Sequence, residues 1–256
     1  MDIVVPIKFV PDLVEELEID EGTGQLDRTF LRLVPNELDD HALEEALLLK
    51  EKHGGTITVV AIDSGDVDET LFTAVAKGAD KVIKITGEGY EEGLSSHACV
   101  ELLAKALGDL SYDVILTGTQ AVDDVDGSVG GLLAAKLDLP YVGYVTKAVS
   151  EGGKLVVTKE YPGGLLAEVE TDLPAVVGIQ AAEQAPRYVV TSLVMDAMNN
   201  ATIDETEGGE ATATGAAEIT AMRAPEKGEA AEMIAGDAGA VAEKLVQIMK
   251  EKGILS

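Results

Sequence analysis

The stretch 114–137, VILTGTQAVDDVDGSVGGLLAAKL, decides the fold because it runs from a buried-strand pattern through a glycine-rich turn into a helical pattern. Such a turn is typical of phosphate binding, since a helix N-terminus carries backbone N–H groups without intrahelical partners. The turn also holds Asp123, Asp124 and Asp126, and no basic residue lies between Gly118 and Gly131. Three carboxylates would repel a phosphate, so the purpose of this loop is not obvious from its composition.

The same strand-to-helix unit recurs through the first half of the chain. Apolar runs rich in β-branched residues predict strands, and amphipathic segments that end at glycine predict helices. The predicted strands are 2–10, 56–65, 81–86 and 112–118, and the predicted helices are 36–55, 66–80, 95–110 and 127–139. We expect Asp68 or an earlier aspartate to cap the second helix. The alternation predicts an α/β fold, a Rossmann-like parallel sheet with helices on both faces.

The second half of the chain has a different pattern. Segment 154–180 predicts antiparallel strands that turn at residues 162–164 and close the sheet. After Pro186 the small, polar and acidic composition predicts an extended arm, because such a segment cannot form a core of its own. A final amphipathic helix is predicted at 238–255. We therefore expect an α/β domain at 1–190 and a partner-docking segment at 191–256.

The net charge of −28, from 47 acidic and 19 basic residues, makes nucleic-acid binding through the phosphate backbone untenable. The acidity favours adaptation to a salty cytoplasm over a basic partner surface. No apolar stretch approaches the length of a membrane span, and the N-terminus lacks the pattern of a signal peptide, so a cytoplasmic protein without membrane insertion is expected. The single cysteine, Cys99, lies in a helical pattern and is expected to be a small buried residue rather than a reactive thiol.

In an open α/β sheet, ligands bind beyond the carboxyl ends of the strands. Four segments reach that edge: residues 6–7, 34–40, 63–70 and the loop after 118. The loop could bind a phosphate, or its aspartates could simply cap the start of a helix. A metal site is a third, weaker option, because the ligand spacing of a calcium loop is missing. The three histidines predict neither a catalytic set nor a metal site, and we expect no catalytic residue.

Several motifs occur in a characteristic order: IVVPIKFV, NELDDHALEEALLLKEK, ETLFTAVAKGADKVI, YDVILTGTQAVDDVDGSVGGLLAAKLDLPYV, LPAVVGIQ and APRYVVTSLVMDAM. Together they resemble the electron transfer flavoprotein β subunits (the FixA family) over nearly the whole chain. The resemblance implies a heterodimeric electron carrier. Its α subunit holds the redox-active FAD, which lies beside the β subunit. Electrons pass from acyl-CoA or other dehydrogenases to a quinone reductase.

The resemblance also implies a second nucleotide in the β subunit. In the ordinary type this is AMP with a structural role, and in the bifurcating type it is a second FAD. The loop would wrap the phosphate with backbone N–H groups and Ser128, while the aspartates shape the turn. The implied nucleotide residues are Pro6, Asn36, Glu37, Leu38, Asp39, Ser64, Gly118, Thr119, Gln120, Ala121, Val122, Asp123, Asp124, Val125, Asp126, Gly127, Ser128 and Val129.

The chain departs from both family patterns in the loop. It shares Asp124 with the AMP type and Val129 with the FAD type, so the resemblance leaves AMP and FAD both open. The partner-recognition loop after the PRY motif places Thr191 and Leu193 as the implied partner-binding residues. The resemblance implies a nucleotide-binding domain at 1–190 and a second segment at 191–256. In that segment the recognition loop, the extended arm and the C-terminal helix would dock on the α subunit. A stand-alone nucleotide-binding regulator of the universal-stress type is the alternative.

Overall fold

The computed structural model describes residues 1–65, 67–124, 126–211, 219–225, 228 and 231–255. The chain forms two compact units, Met1–Ala221 and Met222–Ser256. The first unit holds the sheet and most of the helices. The second contains one helix, α6 (Ala238–Glu251), which begins at Asp237, whose side chain accepts a hydrogen bond from the backbone N–H of Ala240 at 2.9 Å.

A nine-stranded sheet forms the centre of the first unit. Its strands are β1 (Asp2–Ile7), β4 (Thr56–Ile62), β5 (Lys81–Thr86), β6 (Val114–Gly118), β7 (Tyr141–Glu151), β8 (Lys154–Tyr161), β9 (Leu165–Thr171), β10 (Ala175–Ile179) and β11 (Asp204–Glu207), and a separate pair joins β2 (Phe9–Pro11) to β3 (Leu33–Pro35). The spatial order is β11-β5-β4-β1-β6-β10-β7-β8-β9. The pairs from β11 to β7 are parallel, and β8 and β9 are antiparallel additions.

Helices cover both faces of this sheet, as the alternation predicted. They are α1 (Glu37–His53), α2 (Asp68–Lys77), α3 (Ser96–Leu107), α4 (Val129–Leu137) and α5 (Thr191–Asn200). The pleat of β1 explains the two layers, because Ile3, Val5 and Ile7 join the core under α1 and α2. Val4 points the opposite way, into the core under α3 and α4. The structure thus confirms the predicted α/β fold.

The strand order places a ligand position at a defined point. β1 lies between β4 and β6, so the chain moves from β1 outward to β5 and then crosses back to β6 on the other side. Strand order reverses between β1 and β6, and in open parallel sheets ligands bind where the carboxyl ends of such strands diverge. Residues that follow Ile7 and Gly118 therefore meet at this edge.

Three details differ from the expectation. Asp68 does not cap α2 but lies in its first turn, where its carboxylate accepts from Lys84 Nζ at 3.0 Å. The N-cap residue is Val67, with no side-chain cap bond within the described ranges. Strand β7 was not predicted, and β10 joins the parallel part between β6 and β7 instead of pairing with β9. The sheet stays open, because the antiparallel strands extend it at one edge.

The predicted arm contains two short elements. Helix α5 packs against α2, and β11 pairs with the edge strand β5, which places both in the first compact unit. The sequence of β11, DETE, has no strand pattern, so only its pairing with β5 defines it. In α6, Leu245, Val246 and Met249 stay exposed within the second unit. The assignment of 191–256 to partner docking remains a prediction.

Candidate functional site

Asp39 joins the two central strands where they diverge. From the first turn of α1, its carboxylate accepts the backbone N–H of Lys8, after β1, at 2.8 Å, and that of Gly118, at the end of β6, at 2.9 Å. A Cβ at Gly118 would lie 2.5 Å from the Asp39 carboxylate, so glycine is required for this approach. Burial raises the pKa of Asp39 to about 6, although the two N–H donors favour the charged form.

Asn36 holds the start of the loop. It occupies the N-cap position of α1, yet among the described residues its side chain makes no cap bond. Instead its Nδ2 donates to the backbone oxygen of Gln120 at 3.0 Å, and its backbone N–H donates to Lys8 O at 2.8 Å. Asn36 is buried. Its role in this structure is to fix the loop to the end of β1.

Lys8 forms ion pairs with two of the three loop carboxylates. Its Nζ lies 2.7 Å from Asp123 Oδ1 and 2.7 Å from Asp124 Oδ1. Burial alone would lower the pKa of Lys8, but the two carboxylates outweigh this effect and raise the pKa. Lys8 was not predicted as a site residue, because it lies more than a hundred residues before the loop along the chain. The available signal was a lysine inside the apolar run VVPIKFV.

Asp124 and Asp126 also shape the turn. Asp124 Oδ2 accepts the backbone N–H of Ala121 at 3.2 Å, and Asp126 Oδ1 accepts that of Ser128 at 3.2 Å. Ser96 Oγ, at the start of α3, donates to Asp126 Oδ1 at 3.0 Å. These bonds within and around the loop are typical of aspartates that stabilise a tight turn. The carboxylates are therefore engaged by protein groups.

Two buried hydroxyl groups, one near the end of β6 and one at the N-cap of α4, have no partner in the described part of the chain. Thr117 Oγ1 and Ser128 Oγ are buried and find no hydrogen-bond partner among the residues that the structure describes. They lie near the first helical turn, since a Cβ at Gly130 would fall 2.8 Å from Thr117 Oγ1. Buried hydroxyls normally have a partner, and N–H groups of a first turn also need one. This donor set fits a phosphate bound at the N-terminus of α4.

A cleft opens beside these groups. Of the predicted nucleotide residues it is lined by Pro6, Asn36, Asp39, Ser64, Gly118, Thr119, Gln120, Ala121, Asp123, Asp124 and Val129. The predicted residues that do not line its inner part are Glu37, Leu38, Val122, Asp126, Gly127 and Ser128, and Val125 lies outside the described residues. Lining residues that the sequence analysis missed include Lys8, Phe9, Arg28, Tyr90, Gly93, Leu94 and Thr117.

The cleft consists of two adjoining cavities. The inner one, of about 80 Å³, is the one just described, and the outer one has a volume of about 740 Å³. Ile7, Phe9, Arg28, Leu33 and Ser64 line both. Glu37, which was predicted for the nucleotide site, lines the outer cavity. The combined space is in the range of small-molecule sites, roughly 300–1,000 Å³.

The environments of His41 and Cys99, two potentially reactive side chains, favour structural roles. His41 Nδ1 accepts the backbone N–H of Ala182 at 3.2 Å. Cys99 borders the inner cavity, and burial raises the pKa of its thiol to about 11, so the thiol stays protonated at neutral pH. Within the described ranges, no three acidic, histidine or cysteine side chains are arranged to hold a metal ion, and no helix is long and apolar enough to cross a membrane.

The predicted partner-binding residues lie away from the cleft, on α5. Thr191 is its first residue, and Leu193 is 49% exposed. Tyr188, Val190, Met195 and Met198 are exposed around them. The segment before α5 is anchored to α1, because Arg187 makes a bidentate pair with Glu44, whose side chain is buried. The structure thus presents Leu193 on an anchored helix.

The fold and the cleft define a Rossmann-like α/β protein with a ligand position at the reversal of strand order. The family model described as "Electron transfer flavoprotein domain" matches residues 23–226. Electron transfer flavoprotein subunit beta of Thermoanaerobacterium thermosaccharolyticum is 30% identical over 100% of both chains. The Methylophilus methylotrophus protein of the same name is 33% identical over 98% of both, and that of Bacillus subtilis 28% over 98%. The chain belongs to the electron transfer flavoprotein family, among its β subunits, which confirms the resemblance.

Proposed function

We propose that this chain pairs with an α subunit as a heterodimeric electron carrier and holds an adenine nucleotide in its cleft. The observation that carries the proposal is that the hydroxyls of Thr117, in β6, and Ser128, the N-cap residue of α4, have no hydrogen-bond partner in the part of the chain that the structure describes. The family membership supports the electron-carrier role over a stand-alone regulator. An electron carrier needs no acid–base or nucleophilic set of its own, because the bound FAD supplies the electron chemistry.

The residues of this chain would bind and orient the nucleotide. Thr117 and Ser128 would donate their hydroxyl hydrogens to phosphate oxygens, together with the first N–H groups of α4. Asp39 and Asn36 hold the strand ends and the loop in place. Lys8 neutralises the carboxylates that would otherwise repel a phosphate. The loop thus binds an anion although its own sequence is acidic.

The nucleotide proposed first is AMP, with a structural role. A second FAD is the other candidate, and the outer cavity of about 740 Å³ favours it, because that cavity adjoins the inner one and could take the flavin half. With two flavins the heterodimer could divide electron pairs between two acceptors. AMP would place its phosphate in the inner cavity and extend into the outer one, since about 80 Å³ is too small for the whole nucleotide.

The proposed partners beyond the α subunit are acyl-CoA or other dehydrogenases as electron donors and a quinone reductase as acceptor, in the cytoplasm. Thr191 and Leu193 would contact a dehydrogenase from the anchored helix α5. The exposed apolar residues of α6 would dock on the α subunit, as would the arm before it. Burial of such residues is what an obligate heterodimer interface provides.

The decisive experiment is a nucleotide count. The chain is co-expressed with its α subunit, the complex is denatured by heat, and the released FAD and AMP are quantified per heterodimer. One FAD and one AMP would establish the AMP site, and two FAD would establish the second flavin. A complex with one FAD and no further nucleotide would refute the proposed site and leave the loop as a capped helix start. A soluble homodimer that binds ATP would favour the stand-alone regulator.

A further inference from the structure

The cleft contains a second basic side chain, Arg28, that the proposed function has not used. It comes from the excursion between β2 and β3 and lines both the inner and the outer cavity. Among the described side chains, no carboxylate forms an ion pair with it, whereas Arg32 pairs with Asp12 at 3.7 Å and Arg187 pairs with Glu44 at 2.8 Å. In a chain with 47 acidic residues, an arginine in a cleft without an ion pair to any described side chain is unusual.

The position of Arg28 is fixed by the loop before α3. A Cβ at Gly93 would lie 2.4 Å from Arg28 Nη2, so the guanidinium rests against a residue that has no side chain. Arg28 Nη1 also approaches the backbone oxygen of Glu91 at 3.5 Å. Ser96, three residues after Gly93, bonds Asp126 of the phosphate loop. These contacts place Arg28 and the loop 118–129 on the same side of the cleft.

The charges of the inner cavity make Arg28 necessary for an anionic ligand. Three acidic residues, Asp39, Asp123 and Asp124, line this cavity, and Lys8 and Arg28 are the basic ones among its described lining. Lys8 is already engaged with both loop aspartates. A phosphate entering the cavity would therefore meet no unengaged positive charge apart from the guanidinium, which binds phosphate in a bidentate manner.

We propose that Arg28 binds the phosphate of the nucleotide in this cleft and is the residue that allows an acidic cleft to accept an anion. The inference rests on the proposed nucleotide site and adds a specificity-determining residue to it. Because Arg28 borders both cavities, the same contact serves the phosphate of AMP and the pyrophosphate of FAD. The excursion between β2 and β3 thereby becomes part of the binding site.

The test compares a phosphorylated and an unphosphorylated ligand on the heterodimer after removal of bound nucleotide. We expect Arg28→Gln to weaken AMP binding about tenfold to a hundredfold, as expected for loss of a charge-assisted hydrogen bond, and to leave adenosine binding unchanged. Arg28→Lys keeps the charge and should recover part of the AMP affinity. Lys136→Gln is the control for loss of a positive charge, since Lys136 lines neither cavity and its side chain is 48% exposed.

Two outcomes would overturn the inference. Unchanged AMP affinity in Arg28→Gln would show that the guanidinium does not contact the phosphate, and an equal loss for AMP and adenosine would show a merely structural role. A wild-type heterodimer that binds no AMP and no FAD beyond the one of the α subunit would instead refute the proposed site itself, and the inference with it. Repeating the titration with FAD distinguishes the two nucleotides, and Arg28→Gln should weaken whichever one binds.

Discussion

The Nζ atom of Lys8 lies 2.7 Å from Asp124 Oδ1, although 116 residues separate the two along the chain. This ion pair joins the loop 118–129 to the residue that follows β1. It also removes the repulsion that the loop sequence alone predicts. The side chain of Asp124 is only 4% exposed, so the pair is largely withdrawn from water. Its loss should therefore be far more costly than the loss of a surface pair.

We predict that Lys8→Met lowers the thermal unfolding midpoint of the heterodimer by about 6–12 °C. The estimate follows from about 3 kcal/mol for an uncompensated buried charge and about 2–4 °C per kcal/mol in a chain of this size. Lys136→Met is the matched control, because its pair with Glu101 is about half exposed and should contribute less than about 1 kcal/mol. Adding Asp124→Asn to Lys8→Met should restore part of the loss, and a further drop would contradict the explanation.

The raised pKa of Asp39 predicts a specific pH dependence of the folding stability. Its pKa of about 6 lies above the ordinary 3.8, so ionisation costs the folded state about 3 kcal/mol. The stabilising contribution of its neutral form is complete below pH 3.8 and is lost as pH rises to about 6. Wild type should therefore exceed Asp39→Asn in stability by a margin that shrinks between pH 4 and pH 7, about 3 kcal/mol in total. Urea unfolding at several pH values measures this margin.

The opposite outcome is informative as well. A margin that grows with pH would mean that the N–H groups of Lys8 and Gly118 outweigh burial and hold the carboxylate ionised. The variant should be clearly the less stable protein near pH 4, where the margin is largest. Equal stability of both proteins would contradict the bridging role of Asp39.

Thr117→Val should separate binding from stability. The hydroxyl has no partner in the described protein, so its removal should leave the unfolding midpoint of the nucleotide-free heterodimer unchanged or slightly raised. Nucleotide occupancy should fall by about tenfold, which the heat-release assay would detect. Thr171→Val is the control, since that hydroxyl donates to Asp172 O at 3.3 Å and lies outside the cleft. Full nucleotide occupancy in Thr117→Val would contradict a role for the Thr117 hydroxyl in nucleotide binding.

The acidity predicts a response to salt. With a net charge of −28, screening of self-repulsion should stabilise the protein between about 0.1 M and about 2 M KCl. Circular dichroism during thermal unfolding, at both concentrations, measures the effect, and we expect a rise of several degrees. A lower midpoint at high salt would favour the rival explanation, in which the carboxylates face a basic partner surface.

Leu193 should matter for recognition and not for assembly. We predict that Leu193→Ala raises the KM for the heterodimer in its reduction by an acyl-CoA dehydrogenase several-fold, with little change in kcat, because an exposed apolar anchor is truncated. Leu166→Ala, at an exposed leucine of β9, is the control. Nucleotide content and subunit ratio should be unchanged in both. Equal KM values for wild type and Leu193→Ala would refute this role.

The sequence predicted the fold well where pattern and composition agree. The runs 56–62 and 81–86 and the helices α1, α3 and α4 have clear periodicity, and the structure places them close to the predicted bounds. Strand β11 could not be predicted, because DETE has no strand propensity and becomes a strand only by pairing with β5. β11 is a strand because of a tertiary contact, and a local sequence pattern cannot encode such a contact.

The cleft was predicted only in part, for the same reason. The loop 118–129 and Asn36 could be found from local motifs and strand topology. Lys8 and Arg28 could not, because the charges that oppose the loop carboxylates come from other elements and are brought to them by the fold. A residue's charge is visible in the sequence, but its ionic partner is set by the register of β1, β4 and β6.

The pairing of β11 with β5 also protects the folded protein. An unpaired outer strand offers a row of N–H and C=O groups on which another molecule can assemble, and β5 is such a strand without its neighbour. Asp204 and Glu205 of β11 bind Lys81 and Lys84 at 3.0 Å and 3.1 Å, so a short acidic segment occupies the edge. The acidic strand Asp204–Glu207 therefore covers the edge of β5, and we expect a truncation before Asp204 to expose that edge and to promote aggregation.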